Sequence, residues 1–169
     1  MCGFPNGTHD AIEKLSGIPM NTYDANGIRL KFPAGWKLDE NRDDGQFTLT
    51  IQSPGTSFWS VTVFDQRQDG QHIIDQVFDT LREEYDQIDV YDAPPRTGSM
   101  SGLSYDAEFV CYELVNGAFL RFVDSESQDL LIYYQGTDHE LEETKLVLEA
   151  ITLSLEYRVG ESEWDLLTE

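Results

Sequence analysis

Cations are scarce in this chain. Four lysines and seven arginines face 32 aspartates and glutamates, a net charge of −21 over 169 residues. Phosphate backbones and anionic membrane surfaces both call for the opposite sign, so nucleic-acid and membrane binding are excluded. Cysteine is scarce as well: Cys2 and Cys111 alone make neither a disulfide framework nor a four-cysteine zinc site. No run of about 18 apolar residues offers a transmembrane helix. The start, Met1-Cys2-Gly3-Phe4-Pro5, lacks the basic and apolar stretches of a secretory signal, and the expected location is cytoplasmic. Core-forming residues are plentiful: 40% of the chain is apolar, with three Trp, eight Tyr and nine Phe. At this length they build a single domain.

The acidity is uneven. The first 84 residues hold 13 acids and 7 bases, and the remaining 85 hold 19 and 4. One reading is a self-repelling surface that resists aggregation. The other is a surface that steers a basic partner protein. The charges are scattered and do not repeat like phosphates, which argues against mimicry of DNA.

Three segments are expected: an irregular lead-in over residues 1–25, one domain over 26–156 and an acidic tail over 157–169. The lead-in holds Gly3, Pro5, Gly7, Gly17 and Pro19, with at most a short helix around Asp10–Leu15. After Asn26-Gly27, alternation marks strands at Ile28, Leu30 and Phe32, at Phe47, Leu49 and Ile51, and over Phe58–Phe64, with a polar loop from Asp39 to Gly45. Ile73, Ile74, Val77, Phe78, Leu81 and Tyr85 share one side of a helix that starts near Asp69-Gly70. A short strand at Ile88–Tyr91 ends before Pro94-Pro95. Leu103–Cys111 alternates again, and Asn116-Gly117 is the strongest type I′ hairpin signal before Phe119–Val123. Leu130-Leu131-Ile132-Tyr133-Tyr134 is apolar on both faces and belongs in the middle of a sheet. Thr137-x-x-Glu140 is a capping box that opens the last helix. The expected fold class is α+β, a mostly antiparallel central sheet with helices on both faces, that is, an α/β/α sandwich.

The phrases "GIRLKFPAGWKL", "LLIYYQG" and "LEAITLSLE", with this element order, resemble the PsbP/Mog superfamily, nearest its bacterial DcrB-like branch, over residues 26–156. The resemblance implies a binding, adaptor or assembly role. No motif for contacting Ran is recognisable in residues 1–25.

The catalytic and metal motifs are incomplete. Gly98-Ser99-Met100-Ser101-Gly102 puts Met100 where a nucleophile elbow needs serine. Asp39-x-Asn41-x-Asp43 begins like an EF-hand loop, but Asp44 and Thr50 stand where glycine and glutamate belong. His139-Glu140-x-x-Glu143 lacks the second histidine of a zinc helix, and His9 and His72 are not patterned to complete a site. Cys111 is in phase with Leu103, Tyr105 and Phe109 and reads as a small buried hydrophobe. No catalytic residue, metal ligand or cofactor site is therefore expected, and the chain reads as a non-enzymatic protein-binding domain, adaptor or chaperone. The alternative is a small-ligand or enzyme domain with an acid-lined pocket between sheet and helix. The expected partner is a basic protein, and the chain itself a monomer or a weak dimer favoured by salt. The speculative partner-binding residues are Trp164, Leu166 and Leu167, with Trp164 and Leu167 side by side on one helical turn capped by Ser162.

Overall fold

Two antiparallel sheets organise the computed structural model, which describes residues 17–93, 102–125, 128–159 and 163–166. The strands are β1 (Met20–Ala25), β2 (Ile28–Pro33), β3 (Lys37–Asp43), β4 (Gln46–Gln52) and β5 (Phe58–Phe64), then β6 (Ile88–Asp92), β7 (Gly102–Cys111), β8 (Leu114–Asp124), β9 (Asp129–Thr137), β10 (Glu156–Val159) and β11 (Glu163–Leu166). Helix α1 (Gly70–Glu84) follows β5 and helix α2 (Asp138–Ser154) follows β9. The large sheet has seven strands in the order β3-β4-β5-β9-β8-β7-β6, and the small one has four, β1-β2-β10-β11. β9, apolar on both faces, is the fourth of the seven.

Successive side chains of a strand point to opposite faces, so each face of the large sheet has its own core. On one face Trp59, Val61, Leu130, Ile132 and Tyr134 meet Leu148 and Ile151 of α2 and Ile28 and Leu30 of the small sheet. On the other, Phe109, Leu120 and Phe122 meet Ile74, Phe78 and Leu81 of α1. Asp69 caps α1, accepting from the N–H of Gln71 at 3.1 Å. Thr137 caps α2 through the N–H of Glu140 at 3.2 Å.

The expected α/β/α sandwich is corrected. Among the described residues there are two helices against eleven strands, so the fold is β-rich. Beside α2 packs a second sheet, which the expected sandwich around one central sheet did not include. The cause lies in strands without a readable pattern. β3, the expected polar loop, is exposed along its whole length as an edge strand, so burial imposes no alternation on it. β1 lies inside the expected lead-in and pairs with β2 across Asn26-Gly27, where φ is 54° and 80°.

The hairpin turn expected at Asn116-Gly117 is also corrected. Both residues lie within β8, and Gly117 faces Gly136 across the ladder. A Cβ on Gly117 would come 3.0 Å from Leu141 Cδ1, and one on Gly136 would come 2.5 Å from Ser57 Oγ. These glycines seat α2 close to the sheet. Gly117 is there for packing and not for a turn.

Candidate functional site

The large sheet is covered diagonally. α1 lies over β7 and β8 on one face, while α2 and the small sheet cover the opposite face from β4 to β8. Two areas then have no described element over them. Over β4 and β5, on the face of α1, stand Thr48, Thr50, Ser60 and Thr62. Over β6–β8, on the face of α2, stand Asp89, Tyr91, Glu108, Val110 and Val115.

The second area ends in an unusual turn. Cys111 pairs with Leu114, leaving Tyr112 and Glu113 as a two-residue loop with φ of 51° and 65°. Both residues are left-handed, the type I′ arrangement that normally selects Asn-Gly. An L-residue other than glycine costs roughly 1–2 kcal/mol in that region. Tyr112 is 95% exposed, so packing does not repay the strain. A strained, bulky, solvent-facing residue is the kind of feature that marks a functional position.

Around this turn the sheet is apolar on both faces. Val110 and Val115 face each other on one side and Leu114, 55% exposed, projects on the other. Of the seven large hydrophobic side chains exposed among the described residues, five belong to this end of the sheet: Tyr91, Val110, Tyr112, Leu114 and Val115. Glu84, Asp86, Asp89, Glu108 and Glu113 surround them and are exposed.

Two clefts border the patch. One, of about 660 Å³, runs from the end of α1 to the turn and is lined by Glu84, Tyr85, Asp86, Val110, Cys111 and Tyr112. Its inner wall is the Tyr85 ring stacked on Phe109 at 4.4 Å. Burial, then the neighbouring Cys111 and Glu84, push the Tyr85 hydroxyl above its ordinary range, so at neutral pH it stays a hydrogen-bond donor. The other, of about 590 Å³, lies between β6–β8 and the first half of α2, with Tyr91, Glu108, Phe119, Leu141, Glu142 and Lys145 on its walls. Lys145 Nζ sits 5.1 Å from the Phe119 ring centre. Asp106 accepts from the buried Arg121 Nη1 at 3.2 Å. Glu108, Asp138 and Glu142 leave this cleft acidic.

The expected partner-binding residues fall elsewhere. Trp164 and Leu166 lie in β11, whose backbone pairs with Arg158 and Glu156 of β10. A strand therefore replaces the expected helical turn, and Leu167 lies outside the described residues, as do Ser162, Cys2, His9 and Gly98–Ser101. Asp39, Asn41 and Asp43 share one side of the edge strand β3, where Asn41 Nδ2 donates to Asp43 Oδ2 at 3.2 Å. His139 is exposed in the first turn of α2. Cys111 is a half-buried free thiol in the α1-side cleft. Among the described residues no three His, Cys, Asp or Glu side chains are grouped to hold a metal, and no helix is long and apolar enough to cross a membrane.

Sequence reasoning missed the Tyr112 turn because the residues carry no turn chemistry. One signal was available: Val110 to Val115 is apolar at positions of both strand phases, without a buried partner for each.

No family model matches the chain, and no curated protein matches it either. Solved structures share part of its shape. A Bacteroides thetaiotaomicron protein aligns over 82% of this chain and 48% of its own, at 13% identity and a TM-score of 0.48. The chain thus spans about half the length of that protein. LpqN of Mycobacterium tuberculosis, involved in cell envelope biogenesis, aligns over 82% of this chain and 90% of its own, at 11% identity and a TM-score of 0.46. PA94 of Pseudomonas aeruginosa, a protein of unknown function, covers 75% of this chain and 88% of its own at 10% identity, with a TM-score of 0.41. Likenesses this distant assign no activity to the chain.

Proposed function

We propose that this is a non-enzymatic binding or adaptor domain, which docks a basic partner protein at the β6–β8 end of its large sheet. The gathering of four exposed hydrophobic side chains around the strained Tyr112 turn, with Tyr91 further along the same end of the sheet and acids among them, carries this reading. Clustered exposed apolar residues mark interaction surfaces, whereas scattered ones are ordinary. The acids raise the encounter rate with a cationic partner, and the apolar tip supplies the buried contact. The resemblance of the β2 segment and its Pro33-Ala34-Gly35-Trp36 turn to the PsbP/Mog superfamily supports the same role.

The test is capture from native lysate with the unaltered protein and with a Tyr112→Ser, Leu114→Ser, Val115→Ser variant. A basic protein recovered in stoichiometric amount by the first and lost by the second is the expected result. Equal recovery by both overturns the assignment to this surface. The acidic cleft beneath α2 favours a second reading, a small cationic ligand. A thermal melt raised by simple diamines but unmoved by basic proteins would favour it over the first.

A further inference from the structure

The large sheet has two edges, and they are not alike. β3 carries Lys37, Asp39, Glu40, Arg42 and Asp43 and is exposed throughout, which discourages pairing with a further strand. β6, at the other edge, reads Ile-Asp-Val-Tyr-Asp. Its register shows where the side that pairs with no described strand points. Ala93 N donates to Ser104 O at 3.0 Å, directly beyond the β6–β7 ladder. Antiparallel pairs alternate between bonded and non-bonded, so Tyr91 and Asp89 also turn their backbone groups towards β7. Ile88, Val90 and Asp92 turn theirs away, towards an added strand.

The side chains define that strand's chemistry. Ile88 and Val90 are half-buried on the face of α1 and extend the core beneath it. Asp89 and Tyr91 are exposed on the other face, next to Glu108. Arg82, the nearest preceding cation in the sequence, is occupied by Asp79 at 3.4 Å. Resting on the docking role proposed above, we propose that β6 receives a strand of the partner in which apolar and cationic residues alternate. The apolar residues continue the row of Ile88 and Val90, and the cations face Asp89 and Glu108. Strand addition of this kind takes affinity from main-chain bonds and specificity from alternate side chains. The same acids disfavour a second copy, since β6 carries Asp89 and Asp92 and no cation to answer them.

The probe is a synthetic peptide alternating lysine and valine, titrated into the full chain and followed by amide NMR. Shifts should centre on Ile88, Val90 and Asp92. N-methylation of the peptide at every second residue should cost on the order of tenfold or more in affinity in one register and little in the other. A peptide alternating glutamate and valine should not bind. Val90→Pro should weaken binding to a similar degree while keeping the β7 ladder, because this N–H points outward. Equal loss in both N-methyl registers, or no shift at all, overturns strand addition. Shifts confined to Tyr112–Val115 overturn it too but leave docking at the turn intact, so the two proposals fail separately.

Discussion

Two uncovered areas of one sheet are finished in opposite ways. Along the middle of β4 and β5 the side chains are hydroxyls: Thr48 Oγ1 and Thr62 Oγ1 lie 3.0 Å apart, and Ser60 Oγ donates to Tyr133 O at 3.1 Å. This stretch suits water, since hydroxyls line it and three of them have hydrogen-bond partners. Over β6–β8 the side chains are valines, tyrosines and acids, and the strand pair ends in a strained turn. Both areas belong to one antiparallel sheet, so the difference lies in the side chains each strand carries. These side chains separate a solvent face from the face proposed for recognition.

Disturbing the seat of α2, which walls the half proposed for recognition, should have the largest effect. Gly136→Val drives a side chain against Ser57 and Leu141 where α2 is seated. It should lower stability by about 2–3 kcal/mol in chemical denaturation, the scale of core overpacking. Next comes the turn itself. Tyr112→Asn with Glu113→Gly restores residues that tolerate a left-handed backbone. It should stabilise the fold by roughly 1–2 kcal/mol while abolishing partner capture. A variant that is more stable and equally competent would show that the strain has no part in binding.

Glu140 gives a smaller, pH-dependent effect. Burial pushes its carboxyl up, but hydrogen bonds from Thr56 and Thr137 prevail and hold it below the ordinary value near 4.5. The N–H of Thr56 donates to Oε1 at 2.8 Å, pinning the β4–β5 connection to the first turn of α2. A lowered folded pKa means stabilisation present above the unfolded value and lost as pH falls through the folded one. Glu140→Gln should therefore cost on the order of 1 kcal/mol at neutral pH, and the difference from the unaltered protein should vanish in acid. Smallest of all, Thr50→Val on the solvent face should change stability by no more than about 0.5 kcal/mol and leave capture untouched.

Legibility in the sequence followed burial. β2, β4, β5 and β7 could be read because each buries one face, and α1 because Ile74, Phe78 and Leu81 repeat at helical spacing. Thr137 and Glu140 announced the start of α2 through their side-chain chemistry. β3 left no trace, since an edge exposed on both faces has nothing to alternate. Gly117 misled, because a glycine needed for helix approach looks the same as a glycine needed for a turn. The half proposed for recognition was the least legible part. Tyr112 and Glu113 occupy a turn that neither residue prefers, and the strand register around them places it.

The most direct test places a photo-activatable phenylalanine analogue at Tyr112, Tyr91 or Thr50 in living cells and compares the cross-linked products. The account predicts a discrete adduct with a basic protein from Tyr112 and Tyr91 and none from Thr50. Adducts from Thr50 alone, or equal adducts from all three, would contradict it.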